Sequence, residues 1–350
     1  MSDTLVSTSK TKNFHALKSI ADGAVVASEK AISIDRRLSL HEAWLDSDGR
    51  EGRQFLAWHE DFTGLDFQGR DLSRAEIRAC SLHYCDFTNA RFGEAVTLKD
   101  CSLEHCIFHH TLFNKTNFIG CKISDCDFSK AELNGVLFEC GHDLDGPPAK
   151  SGNRFDNAVI RAGQFVETNF YGARLDTCRL DNVTFVKCDF LAMNFNDAVI
   201  QTPLSFLDCR LAASDFRGKM LGTTRFTGCD LSGARFSDAF AQGATFDHSD
   251  LSDADFSETD LSHSSLIMVD ALKTKFVGAD LRNTCMRLSN LRQADLTSTV
   301  ITHADLSVCD LLGAQIDAST HCYQTDFTGS TWIDGKRCDV GSIGHCVGVE

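Results

Sequence analysis

The stretch CSLEHCIFHH, residues 101–110, holds two cysteines, a glutamate and three histidines. Zinc takes sulfur and nitrogen ligands in a tetrahedron, often from short spacings, so residue type alone makes Cys101, His105, Cys106 and His109 a candidate metal cluster. Elsewhere the motifs that carry chemistry are missing. The chain has no GxxxxGKS/T phosphate loop, no HExxH pair and no GxSxG nucleophile turn. Aspartates recur at regular spacing, which a repeat produces without any acid/base pair. A non-enzymatic protein without catalytic residues or cofactor is expected.

Whether the four candidate ligands can meet depends on the elements that carry them. The chain has 350 residues, 43% of them hydrophobic, enough for a large core. Its 26 Phe stand against 3 Tyr, 3 Trp and 3 Pro, so one side-chain shape is used repeatedly at equivalent places. A large apolar residue recurs at every fifth position from Phe62 to Phe92, from Leu98 to Phe138, from Phe155 to Ile200 and from Phe206 to Ile316. These frames contain 49 centres, and all but Ala241 and Ala271 are Phe, Leu, Ile or Met. Two residues before a centre the side chain is usually small, as at Ala75, Thr111, Ala173 and Ala254, and the residue just before it is often Asp or Asn. A period of five fits neither a helix, with about 3.6 residues per turn, nor the alternation of a strand. It needs a chain that turns a corner in every repeat.

GADL at 278–281, SDADF at 252–256 and QADL at 293–296 show the unit in its purest form. On these residues the sequence resembles the pentapeptide repeat family, whose unit is written A(D/N)LXX, over residues 60 to about 333. The resemblance implies an all-β fold, a right-handed quadrilateral parallel β-helix in which four pentapeptides make one coil. The centre and the small residue two before it would point inward, and the other three positions would face solvent. Coils stacked as parallel strands advance about 4.8 Å each, so the framed repeats correspond to roughly twelve coils and a rod on the order of 60 Å long. Each coil touches only its neighbours, so both ends need covers.

Residues 1–59 are expected to supply the first cover, as a disordered tail (1–13) and a short α-helical cap. SLHE at 39–42 reads as a capping box, with Ser39 as N-cap and Glu42 three residues later, on a helix that carries Trp44 and Leu45 and stops at Gly49. Residues 334–350 are expected to close the other end. Cys338 and Cys346 lie there outside the frames; a disulfide between them is the alternative for an oxidising setting, but two free thiols are expected, because nothing else indicates secretion. Eleven of the 16 cysteines stand two before a centre, Cys101 and Cys106 among them. They are expected to pack as small hydrophobes, with Cys80, Cys101 and Cys121 in one column and Cys85, Cys106 and Cys126 in the next. His105, His109 and His110 fall at solvent-facing positions. The wall of the rod then separates thiols from imidazoles, and no metal site is expected. Lys219 occupies an inward position, and a bulge at Gly218 is expected to turn it out.

The longest departure from the period is ECGHDLDGPPAKSGNR, residues 139–154, which separates Phe138 from Phe155 by 17 instead of 15 positions. It is expected to bulge as a loop within the 60–333 repeat region, and its His142, Asp143, Asp145, Pro147, Pro148 and Lys150 are the candidate partner-binding residues. The formal charge of −15 lies wholly beyond residue 59, because residues 1–59 carry 8 basic and 8 acidic residues. An acidic rod repels nucleic acid and attracts basic surfaces. Direct nucleic acid binding is therefore not expected, and no run is long and apolar enough for a membrane span. The function expected is a scaffold acting through protein–protein interaction with an unidentified partner, with a homodimer as one possible assembly. The resemblance also implies a second reading, the branch of the family that protects type II topoisomerases such as DNA gyrase from quinolones or toxins as dimeric DNA mimics. Acidity, length and the loop agree with it; the sizeable N-terminal segment and the larger number of repeats depart from it. The N-terminus lacks the apolar core of a secretory signal, so the expected location is cytoplasmic, while its Ser/Thr-rich start also suits a bacterial effector exported by a specialised secretion system.

Overall fold

The fold was derived from a computed structural model that describes residues 33–142, 144, 150–201 and 203–347. The expected tail and export segment lie outside these residues. The period of five has a backbone origin. The residue two after a centre adopts the left-handed conformation, as at Tyr84 (φ 57°), His105 (φ 55°), Asp125 (φ 52°) and His303 (φ 61°). One such residue turns the chain a quarter of the way round, so the next centre again faces the axis. The left-handed conformation costs about 1–2 kcal/mol for a non-glycine residue. Hydrogen bonds between coils offset it, for example Phe87 N–H to Ile107 O at 2.7 Å and Phe236 N–H to Asp255 O at 2.7 Å.

The product is a four-sided parallel β-solenoid. On its first face nine strands, from Leu56–Trp58 to Arg225–Thr227, form one parallel ladder. The ladder continues as single-residue bridges through Thr245, Ser265, Cys285, Asp305 and Asp326, so this face is fourteen levels deep. Roughly twelve coils were expected from the frames. The additional levels come from Leu56–Trp58, which moves the start of the solenoid ahead of residue 60, and from the coil that ends at Phe327. Register places centre on centre, with Phe118 beside Phe138 and Phe206 beside Phe226.

The core is a set of stacked rings. Phe67, Phe87, Phe108, Phe128 and Phe155 lie in one column with centroids 4.6–4.9 Å apart, and all are buried. Small inward residues follow a second rule. Most hydroxyls and thiols there donate to the carbonyl of a centre in the preceding coil, as Thr111 Oγ1 to Phe87 O and Cys106 Sγ to Leu82 O, both at 2.7 Å, whereas Thr224 Oγ1 and Ser264 Oγ are buried without such a bond. Where that bond forms, Thr, Ser and Cys replace Ala without leaving a buried polar group unpaired.

The N-terminal cap is a helix that is already formed at residue 33 and runs to 46. This corrects the capping-box reading. Ser39 lies inside the helix, its Oγ donating back to Asp35 O at 2.9 Å, and Glu42 pairs with Arg70 instead of with a helix N-terminus. A capping box specifies a helix start only where the preceding residues are non-helical, and here they are helical. Gly49 ends the element as expected: at φ 87° its N–H reaches Trp44 O at 2.7 Å. Ile34, Leu38 and His41 form the buried stripe that covers the first coil, and His41 Nδ1 accepts the Phe55 N–H at 3.0 Å.

Two further expectations are corrected. Lys219 does not swing out on a bulge. It stays in the ladder, half-buried, and its ammonium donates to Asn196 O at 2.6 Å and Ala198 O at 2.9 Å. Burial lowers its pKa, with Asp197 opposing. Backbone carbonyls of the previous coil thus satisfy the charge that burial would otherwise strand. At the C-terminus, Cys338 and Cys346 are joined by a disulfide, with Cα atoms 5.0 Å apart. The closing segment doubles back against the last coil through antiparallel bridges at Asp326–Ile343 and Thr331–Arg337, and this reversal brings the two cysteines together.

Candidate interaction surfaces

The stretch at 101–110 divides across the wall. Cys101 and Cys106 are buried, while His105 and His110 are exposed and His109 pairs with Asp127 at 3.0 Å. Next to these thiols, a bond with Cys101 and then burial push Cys121 up, and the same causes act on Cys126 through Cys106. The bonds favour ionisation of Cys101 and Cys106, but both residues are buried in the wall. Burial likewise pushes Cys85 and Cys309 up to about 12. These thiols are core packing.

The 139–154 segment replaces one strand of the second face. Among the described residues that face runs Ser102–Glu104, Lys122–Ser124, has no strand or bridge at the next level, and resumes at Asn169 and Asp189. Where the strand is missing, a cavity of about 280 Å³ opens beside Ile123, Phe138, Cys140, Thr168 and Phe170. Asn153 repairs the backbone at its edge. Its Oδ1 accepts the Cys126 N–H at 3.0 Å and its Nδ2 donates to Ile123 O at 3.2 Å. Sequence reasoning missed Asn153; the signal available was an Asn two before the centre Phe155, where small residues stand elsewhere.

Of the candidate loop residues, Asp143, Asp145, Pro147 and Pro148 lie outside the described residues. Lys150 is exposed. His142 is tied down: its Nε2 lies 3.4 Å from Oδ2 of Asp189, a carboxylate with no exposed side-chain surface. Arg210 pairs with the same carboxylate and donates from Nη1 to Leu144 O at 3.0 Å. Burial raises the Asp189 carboxyl, but Arg210, the Leu191 N–H and His142 together hold it below the usual carboxylate range. Residues 142 and 144 are therefore clasped to the second face.

Beyond the clasp the same face carries Asp230, Asp250, Asp270 and Asp310 in register. In each, Oδ1 accepts the N–H two residues on, at 3.0, 2.8, 3.2 and 3.1 Å, which fixes the carboxylate at the surface. Arg292 pairs with Asp310, whereas Asp230, Asp250 and Asp270 have no ion pair among the described residues. On the third face cations are interleaved with the carboxylates: Asp127 pairs with Arg154, Asp215 pairs with Arg217 and Arg235, and Lys275 stands in the ladder between Asp255 and Asp295, which have no ion pair among the described residues.

Residues 61–96, 97–135, 229–266 and 274–313 match the family model described as pentapeptide repeats (8 copies), and residues 158–236 match that of a pentapeptide repeat region. The chain belongs to the pentapeptide repeat family. Among solved pentapeptide repeat structures, Rfr23 from the cyanobacterium Cyanothece 51142 is 28% identical over 26% of this chain, with a TM-score of 0.26. The match spans 63% of that protein, less than two thirds of its length. HetL, involved in heterocyst differentiation regulation in Nostoc sp. strain PCC 7120, is 18% identical over 80% of this chain and 92% of its own, with a TM-score of 0.21. QnrB1, a plasmid-mediated fluoroquinolone resistance protein, is 19% identical over 76% of this chain and 93% of its own, with a TM-score of 0.18. No curated protein sequence matches the chain. No enzymatic family is indicated for this pentapeptide repeat protein, and no helix among its described residues is long and apolar enough to cross a membrane.

Proposed function

We propose that this pentapeptide repeat protein is a non-enzymatic scaffold that binds a basic-surfaced protein along its second face. The observation that carries the reading is the row Asp230, Asp250, Asp270, three carboxylates held in position by backbone N–H groups and in no ion pair among the described residues, although Arg210 stands one level before Asp230. Pre-set carboxylates lose little side-chain freedom on meeting Lys or Arg, so the binding cost is low. The clasped loop adjoins the row, because Arg210 lies one level before Asp230. His142, Asp143, Asp145, Pro147, Pro148 and Lys150 would extend the surface. The fourteen free cysteines favour a reducing, cytoplasmic setting, against which stands the one disulfide, Cys338–Cys346.

The second reading, protection of a type II topoisomerase such as gyrase by a homodimeric DNA mimic, draws on charge density. Residues 241–320 carry twelve acidic and five basic residues. Over four coils at about 4.8 Å each, the net charge is about one per 2.7 Å, against about one per 1.7 Å for duplex DNA. The rod thus falls short of a duplex by a little under twofold.

The test replaces Asp230, Asp250 and Asp270 by Asn, which keeps the Oδ1 acceptor and removes the charge. Partners captured from the native host by the wild type should be lost by this variant and retained by one with Asp255→Asn and Asp295→Asn on the third face. Equal capture by both would refute the assignment to the second face. A gyrase supercoiling assay with and without quinolone separates the second reading, which fails if the protein neither binds gyrase nor protects it.

A further inference from the structure

The 101–110 stretch also presents donors on its outer side, and there they converge with a residue from the next coil. Glu104 ends the strand Ser102–Glu104, His105 turns the corner after it, and Asp125 turns the same corner one coil later. One ring nitrogen of His105 and one oxygen from each carboxylate all lie within 4.8 Å of one another. A tetrahedral zinc ion with bonds of about 2.1 Å needs its donors about 3.4 Å apart. Closing that gap asks for about 1 Å of movement from side chains at the surface. The corner residues on either side suit this. The Tyr84 ring, one coil before, stacks on His105 at 4.9 Å and 24°. Gly152 holds the corner one coil after, where an added Cβ would collide with the Asp125 carboxylate. Behind them, His83 lies with Nδ1 3.3 Å from Glu104 Oε2 and Nε2 2.9 Å from Ser102 Oγ. Among the described residues neither Glu104 nor Asp125 pairs with a Lys or Arg; the Glu104 carboxylate faces two histidines, His83 and His105.

We propose that Glu104, His105 and Asp125 form a binding site for a divalent transition-metal ion, zinc above all, with His83 positioning Glu104. One imidazole with two carboxylates suits zinc or a similar ion, whereas calcium and magnesium favour all-oxygen shells. The site differs from the cluster suggested by residue type in the 101–110 stretch. It uses none of the thiols, which lie behind the wall, and it recruits Asp125, which no short spacing motif marks.

Calorimetric titration of the full chain with zinc chloride at neutral pH is expected to show one site per chain. His105→Asn and Asp125→Asn should each abolish it, and His83→Asn should weaken it about ten-fold. The Cys101→Ala/Cys106→Ala double variant and His109→Asn should bind as the wild type does. Cobalt(II) at the site should give no thiolate charge-transfer absorption. Thermal melts of each variant establish that it is folded. The proposal is overturned if the wild type shows no stoichiometric site, if His105→Asn and Asp125→Asn leave uptake unchanged, or if loss of the two cysteines removes it.

Discussion

Replacing Asp189 by Asn tests whether the clasp holds the 139–154 loop to the rod. The carboxylate has no exposed side-chain surface; its Oδ2 faces Arg210 and His142, and its Oδ1 accepts from Leu191 N–H and Arg210 Nε, both at 3.0 Å. Asn keeps the shape and the acceptor for Leu191, so the loss is confined to the charge. Removing one partner of a fully buried pair costs about 3–5 kcal/mol. Arg210 retains 18% side-chain exposure and has Asp230 one level away, so its charge is not stranded, and the expected cost falls to about 2 kcal/mol. Asp189→Ala also removes the Leu191 acceptor and should cost about 1 kcal/mol more. The stability change is read from urea midpoints at constant slope. Because Arg210 also holds Leu144 O, limited proteolysis within the loop should accelerate several-fold. The pH dependence follows from the lowered folded pKa. The stabilisation is present above the unfolded value of about 4 and is lost as pH falls through the folded value. A cost below about 0.5 kcal/mol for Asp189→Asn, with unchanged cleavage of the loop, would refute the clasp.

Phe226→Ala removes a ring stacked at 5.2 Å on Phe206 and 5.1 Å on Phe246; a loss of about 3–5 kcal/mol is expected by denaturant titration, and a cost under about 1 kcal/mol would show that the column is not close-packed. Burial lowers the pKa of His41, with Ser73 O, Asp71 and Glu42 opposing. The folded cap therefore holds it neutral, and its stabilisation is complete above about pH 6.5 and declines as pH falls through the lowered value. Amide exchange at Phe55, whose N–H His41 accepts, should rise on acidification more than the pH dependence of exchange chemistry predicts, and parallel behaviour in His41→Asn would contradict this. Reducing Cys338–Cys346, a bridge over a sequence separation of 8, should cost about 2.5 kcal/mol by loop entropy, confined to the C-terminal coils; hydrogen exchange that loosens the whole rod instead would argue against nearest-neighbour stacking.

Much of the molecule was legible from the chain because every pentapeptide meets the same local demand. A left-handed residue at each corner forces the centre inward, so Phe108 and Cys106 could be assigned to the core and His105 to the surface before any contact was known. The misreadings fall where a residue answers to something other than the repeat. Ser39 looks like a helix start because its neighbours in sequence resemble a box, but the helix that covers the first coil extends back to residue 33. Lys219 looks intolerable in an inward slot until the carbonyls of Asn196 and Ala198, one coil earlier, are in view.

By itself, the sequence determined the family, the inside and outside of the wall, and the break in the period after Phe138. It did so because those properties depend on a five-residue rule that each repeat restates. The tertiary structure decided which residues become neighbours across coils. His142 meets Asp189, Asn153 bridges to Cys126 and Ile123, and Asp125 comes to lie above His105. These pairings depend on the accumulated slips at 93–97, 139–154 and 201–205. Each slip shifts the register of all later coils, so local pattern alone does not specify the partner. The charge pattern divides in the same way: the excess of carboxylates is composition, but whether an Arg neutralises one, as at Asp215, or leaves it in no ion pair among the described residues, as at Asp250, follows from what the next coil places beside it.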